Sequence, residues 1–148
     1  MTAGSDPSIH ASAVLAGDRA VLIRGPSGSG KSRLAFDLIL AGRAGQLPAV
    51  TLIGDDRVRL TNHGSRLIVR GVPELAGMIE IRGLGIRTIG FAAEAPVGLV
   101  VDLDAADAER LPPPEALKTL VSGLEIPRIP VARGYGALPL VLAFLTTV

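Results

Sequence analysis

The stretch "RGPSGSGKSRLAF", Arg24 to Phe36, decides the fold of this chain. The run before it, Ala20 to Ile23, is apolar and β-branched and is stopped by Gly25-Pro26, so it reads as a buried strand. After it, Leu34, Leu38 and Ala41 recur at helical spacing. Lys31 to Ala41 therefore reads as a helix, with Gly42 as its C-cap. Between the two, Gly25-Pro26-Ser27-Gly28-Ser29-Gly30-Lys31-Ser32 satisfies G-x-x-x-x-G-K-[ST] at every fixed position. The chemistry explains the residue types. A polyphosphate is wrapped by backbone N–H groups, and side chains would block that approach. Glycine allows the close contact and the positive φ angles of an anion nest. The first turn of the helix adds free N–H groups and its dipole. Lys31, one of only two lysines, brings positive charge to the β- and γ-phosphates, and Ser32 offers a hydroxyl to Mg²⁺. An unliganded strand-to-helix turn is the plain alternative, and the flanking strand and helix argue against it. The motif indicates a nucleotide phosphate and leaves the reaction open.

Outward from this join, Val50 to Ile53 reads as a second strand ending in Gly54-Asp55-Asp56. Val58 to Thr61 and Arg66 to Arg70 flank a polar turn containing Gly64, the pattern of a hairpin. Pro73 opens a helical turn, Met78 to Ile81 is extended, and the glycines of "RGLGIRTIG" predict a loop. Val97 to Leu103 has the look of a central strand. "LPPPEALKTLVSG", Leu111 to Gly123, reads as a proline-led helix closed by Gly123. Ile126 to Val131 carries two prolines and is expected at a sheet edge or bulge. Ala137 to Val148 reads as a buried terminal helix. The expected architecture is one α/β domain over residues 1–148, a mixed sheet flanked by helices.

Bulk properties agree. The chain has 148 residues, 48% of them hydrophobic and 20% charged, enough for one core and too little charge for disorder. Net charge is +1 without a basic block, which argues against nucleic acid as a partner. There are no cysteines, so disulfides and thiolate metal sites are excluded and a reducing, cytoplasmic setting is expected. The N-terminal residues do not form a signal-peptide pattern, and Ala137 to Val148 is too short to span a bilayer, so no membrane association is expected.

Several residues outside the P-loop are candidates for chemistry. Asp55-Asp56 follows an apolar strand, where an acid can hold a metal and its neighbour can orient or deprotonate a nucleophile. Adjacent strand residues face opposite sides, so the two converge only if the strand ends there. Glu80 and Arg82 flank Ile81 ahead of two glycines. A metal ligand and a bidentate phosphate binder are one reading, and an exposed strand end is the one their spacing favours. His10 alone reads as a surface or capping residue, Arg110 as an ordinary helix or loop arginine, and His63 as a solvent-exposed turn residue.

Taken together, "IHASAV", "GPSGSGKS", "GDDRV", "GVPELAGMIEIRGLGI" and "IPRIPVARG" resemble, in order, the C-terminal catalytic domain of bacterial HPr kinase/phosphorylase in its short proteobacterial form. "EIRGLGI" is the most specific of them, and it reverses the reading of Glu80 as a plain strand end. The resemblance implies a P-loop fold of the HPr kinase and PEP carboxykinase type. It implies an enzyme that phosphorylates a serine of the phosphocarrier HPr, or of a nitrogen-type homologue, with ATP, and removes it with phosphate to give pyrophosphate. By position it places Gly25 to Ser32 on the nucleotide and Ser32 and Glu80, with Asp55 near them, on Mg²⁺. His10, Lys31, Asp55, Asp56 and Arg110 fall in the active site, with Asp56 favoured as the base, and Pro130 to Gly134 matches a stretch tied to dephosphorylation. It also implies a homo-oligomer, a hexamer in the family. The rival readings are a small-metabolite kinase or ATPase, a non-catalytic nucleotide sensor, and a GTP switch. The last lacks a guanine reader, since Asn62 is the only asparagine and His63 follows it.

Overall fold

The structure is a computed structural model that describes residues 7–148; the reading of the first six residues lies outside the described residues. Eleven strands and two helices follow in the order β1 (Ser8–Ile9), β2 (Ser12–Ala16), β3 (Arg19–Arg24), α1 (Lys31–Arg43), β4 (Val50–Gly54), β5 (Val58–His63), β6 (Arg66–Gly71), β7 (Met78–Ile81), β8 (Gly85–Thr88), β9 (Glu94–Asp102), β10 (Lys118–Val121), β11 (Leu124–Pro130) and α2 (Ala137–Thr146). Nine strands form one mixed sheet, and β7 pairs only with β8.

β9 organises the sheet. It runs parallel to β3, from Ala20↔Val97 to Arg24↔Asp102. On its other side its first residues pair antiparallel with β6 and its last ones parallel with β11. β2 pairs antiparallel with both β3 and β4. In β3, Ala20 to Ile23 are all buried, as a strand covered on both faces must be. Val21 and Ile23 face the layer of α1 and α2 with Leu34, Leu38, Leu99, Val101 and Val141. Ala20 and Leu22 face the opposite side with Ile53, Val58, Leu67, Val69 and Val97. The sheet is curled, and the ends of β4 and β6 touch: a Cβ on Gly71 would lie 2.4 Å from the Ile53 carbonyl oxygen.

The structure corrects five local readings. The segment after Leu111 is not a helix: three prolines hold it to a single 3₁₀ turn over Pro114–Leu117, and Lys118–Val121 is a strand paired with β11. Ser122 (φ 50°) and Gly123 (φ 81°) form the tight β10–β11 turn instead of a helix end. The glycine-rich loop is instead the turn and second strand of the β7–β8 hairpin, with Gly83 at φ 89°. Gly42 lies inside α1, whose C-cap is Ala44, and a Cβ there would meet the Val50 nitrogen at 2.8 Å. β11 pairs with β10 along Leu124–Pro127 and with β9 along Arg128–Pro130, so none of its residues is paired on both sides, and Pro127 and Pro130 end the two stretches as expected of edge prolines. In α2 only Val141 is fully buried, so the terminal helix is half exposed. The strands β1 and β2 were not expected; their small side chains, "SIHASA", give no clear alternation.

Gly71→Ala would force a methyl group into the Ile53 carbonyl, and overpacking of this kind costs about 1–3 kcal/mol. Urea denaturation should show a lowered midpoint at unchanged slope; an unchanged midpoint would mean that β4 and β6 do not press together as described.

Candidate active site

A strand and a helix build the first wall of the site. β3 ends at Arg24 and α1 begins at Lys31, and the loop between them turns on Gly28 (φ 81°) and Gly30 (φ 98°). Both sit in the left-handed region, where backbone N–H groups converge to a nest. Gly25 has a steric reason as well, since a Cβ there would lie 2.6 Å from Ser29 Oγ and 3.0 Å from Leu103 Cβ. The first turn of α1 contains no acidic residue, so nothing of its own neutralises the positive end of the helix. Lys31 is 6% exposed, and its Nζ donates to the carbonyls of Gly25 (2.8 Å) and Pro26 (3.0 Å). Among the described residues no carboxylate pairs with it. Ser29 Oγ is buried and has no hydrogen-bond partner among them.

β4 brings the second wall. The strand ends at Gly54, and the two acids after it diverge as they leave it. Asp55 is buried, 4% exposed. Its Oδ1 accepts from the Ser12 hydroxyl at 2.7 Å and from the Ser32 hydroxyl at 2.7 Å. Its Oδ2 accepts from Ser32 at 2.9 Å and from the Glu80 backbone N–H at 3.0 Å. Asp56 takes a left-handed backbone, φ 70°, and its side chain is 63% exposed. Its Oδ1 meets His10 Nε2 at 2.6 Å. In water that pair contributes little to stability, so its interest is chemical.

A cleft of about 950 Å³ lies between these walls. The loop Ser27–Ser32, His10, Ser12, Asp56, Glu80 and Arg82 line it, with Phe36, Ile81 and Leu138 as apolar neighbours. Such a volume and mixed lining suit a small ligand with one charged end. Of the residues expected at the site, His10, Lys31, Ser32, Asp55, Asp56 and Glu80 come together. Glu80 reaches Asp55 through its backbone N–H. Arg110 is not among the described cleft-lining residues; it occupies an exposed bend after β9. The residue that sequence reasoning missed is Ser12. The signal was present, a lone hydroxyl in a run of small apolar residues two positions after His10.

The end of β3 that leads into the P-loop is pinned by charge. Arg24 donates to Asp102 twice, at 2.7 and 2.8 Å, and Arg128 donates to Asp102 at 2.6 Å. Arg128 also donates to both oxygens of Asp107, at 2.8 and 3.0 Å, and to the Ala116 carbonyl. Burial pushes the Asp102 carboxyl upward, but the hydrogen bonds from Arg24 and Arg128 and their charges outweigh it and hold the group below the usual carboxylate range. The hydrogen bond to Asp107 does most to hold the Arg128 guanidinium above its ordinary value, against desolvation, with Asp102 helping.

The fold and this site define an α/β domain with a P-loop, its opposite wall carrying a carboxylate pair. The chain belongs to the HPr serine kinase C-terminal domain family, whose model matches residues 3–137. An HPr kinase/phosphorylase of Mycoplasma mycoides subsp. mycoides SC is 39% identical over 128 residues, covering 77% of this chain and 39% of that protein. The one of Enterococcus faecalis is 36% identical over 141 residues, 86% of this chain and 43% of that protein. The chain thus spans about two-fifths of the length of these curated relatives. The HPr(Ser) kinase/phosphatase structure from Coxiella burnetii superposes with a TM-score of 0.73 at 26% identity, covering 94% of this chain and 93% of that one. The expected P-loop α/β fold is therefore the observed one. No helix of the described residues is long and apolar enough to cross a membrane.

Asp102 titrates below its unfolded value of about 3.9, so its contribution is complete above about pH 4 and is lost as pH falls through the folded value. Asp102→Asn strands two guanidiniums that are only partly solvated. It should lower stability at pH 7 by about 2 kcal/mol, less than a fully buried pair would cost. Its acid unfolding, followed by circular dichroism from neutral to low pH, should be shallower than the wild type's. Superimposable curves would rule out a folded-state role for the network.

Proposed function

We propose that the domain transfers the γ-phosphoryl group of ATP to a serine of an HPr-like phosphocarrier protein, and returns it to inorganic phosphate as pyrophosphate. One observation carries this reading: Ser32, the hydroxyl of the P-loop, is hydrogen-bonded to the buried Asp55, while the adjacent Asp56 projects into the same cleft. The phosphate grip and an exposed carboxylate thus face one cleft. The named relatives support the substrate class, and the two rival enzymatic and sensing readings have no observation of their own in their favour.

The geometry supports the following roles. The nest of Gly25 to Ser32 and the start of α1 bind the β- and γ-phosphates, and Lys31 turns its buried ammonium from the loop carbonyls to the incoming anion. Among the described residues no group of three or more His, Asp or Glu could hold a metal ion. The donors present, the Ser32 hydroxyl with Asp55 beside it and Glu80 on the cleft wall, suit Mg²⁺, which takes few protein oxygens and completes its shell with phosphate and water. Bound there, the metal neutralises charge on the phosphates.

A serine hydroxyl has a pKa far above 7 and needs a base within reach as it attacks. Asp56, exposed and oriented by His10, is that base. The serine oxygen forms a bond to the γ-phosphorus, the bond to the bridging oxygen of ADP breaks, and the hydroxyl proton passes to Asp56. In the reverse direction an oxygen of inorganic phosphate attacks the phosphoserine phosphorus, and Asp56 returns the proton to the departing serine. Arg82, on the cleft wall at the turn of the β7–β8 hairpin, is a donor for the transferred or accepting phosphate. Arg110, outside the cleft, has no assigned step. Action in the cytoplasm and assembly into a hexamer belong to the same reading through the family.

The test is incubation with labelled ATP, Mg²⁺ and the host's HPr-like proteins. Label should appear on a carrier serine and leave as pyrophosphate when phosphate is added; a carrier that stays unlabelled refutes the reading. Asp56→Asn should lower the transfer rate about 10²–10⁴-fold with nucleotide affinity nearly intact. Equal losses in rate and affinity would assign Asp56 to binding instead.

A further inference from the structure

Ser12 belongs to no phosphate-binding motif, yet it touches both acids of the site. It is fully buried, and its neighbours Ala11, Ala13 and Val14 are fully buried too. In such surroundings a hydroxyl is costly unless paired, and alanine would fill the strand without that cost. The Ser12 hydroxyl is paired on both sides. It donates to Asp55 Oδ1 at 2.7 Å, and it accepts a long hydrogen bond from the Asp56 backbone N–H at 3.4 Å. A serine has one donor and two acceptor lone pairs, so a single side chain can do both.

Asp55 has three sources of hydrogen bonds: Ser32 on α1, the Glu80 N–H on β7, and Ser12 on β2. Ser32 is the one that must also serve the metal and phosphate. Ser12 and Glu80 N–H are the holds that do not change partner. The geometry points to Ser12 as a positioning residue: it fixes the Asp55 carboxylate against Ser32 and holds the Asp56 backbone in its left-handed turn. The metal side and the base side of the cleft are thereby kept in one register. The same β1–β2 segment carries His10, which meets Asp56 from the other direction. This role rests on the kinase reading for its effect on rate, and not for its effect on the Asp55–Ser32 pair.

The experiment uses the whole chain as Ser12→Ala and Ser12→Thr. Loss of a group that orients a metal-side ligand typically costs 10–100-fold in metal affinity or activity. In Ser12→Ala, the Mg²⁺ concentration that half-saturates the metal-dependent gain in ATP binding should rise about tenfold or more. ATP binding in EDTA should be unchanged, because the nest and Lys31 are untouched. The kcat for carrier phosphorylation should fall about 10–100-fold. Ser12→Thr keeps the hydroxyl and should restore both; should its extra methyl prevent folding, the alanine variant carries the test alone. Wild-type Mg²⁺ dependence in folded Ser12→Ala overturns the proposal, whatever its melting temperature. If the wild type labels no carrier, the kinase reading falls, and the Mg²⁺ shift still decides the role of Ser12.

Discussion

One buried carboxylate ties the molecule's separate parts into a site. Asp55 is reached by a hydroxyl from α1, a hydroxyl from β2 and a backbone N–H from β7. These elements are far apart in sequence, and the sheet order β3-β2-β4 is what brings the first two to the end of β4. An acid this buried is tolerable only because its oxygens are so fully engaged. The constraint then propagates. With Asp55 turned inward, the next residue must swing out, and the left-handed backbone of Asp56 achieves this. Two adjacent acids can thus take different roles, one beside the P-loop hydroxyl and one open to the cleft.

The join between β3 and the P-loop explains why β4 supplies these acids. Asp102 closes the central strand β9 directly beside Arg24, next to the loop itself. Arg24 and Arg128 engage both of its oxygens. Its charge is spent on anchoring β3, β9 and β11 to each other, which stiffens the base of the loop. The acid that faces Ser32 comes instead from the antiparallel side of the sheet. Curling of the sheet over a second core layer, with Gly71 pressed on Ile53, fixes where β4 ends.

The P-loop was legible because its physics is local: every fixed residue of the motif, the strand before it and the helix after it lie within one stretch. The β5–β6 hairpin and β9 were legible for the same reason, through a turn glycine and an apolar run. The N-terminal strands were not, because "SIHASA" has no amphipathic signal and acquires its structure from pairing with β3, β4 and β5. Lys118–Val121 misled because Leu117, Leu120 and Val121 mimic a helical stripe. In the fold Leu117 ends the 3₁₀ turn, and Leu120 and Val121 belong to a hairpin whose partner, β11, is fixed by β9. At the site, neighbours along the chain were found and neighbours across the sheet were not: Asp55-Asp56 stood out as a pair, while the contacts of Ser12 and His10 with them exist only once β2 lies against β4.

In the proposed function the β3–α1 loop holds a polyphosphate, with Ser32 and Asp55 on the metal side. Calorimetric titration of the wild-type chain with ATP, and with pyrophosphate, in the presence and absence of Mg²⁺ tests it most directly. Saturable binding of one ligand per chain, tighter when Mg²⁺ is added, is expected. Binding that is absent for both ligands, or indifferent to the metal, would contradict it.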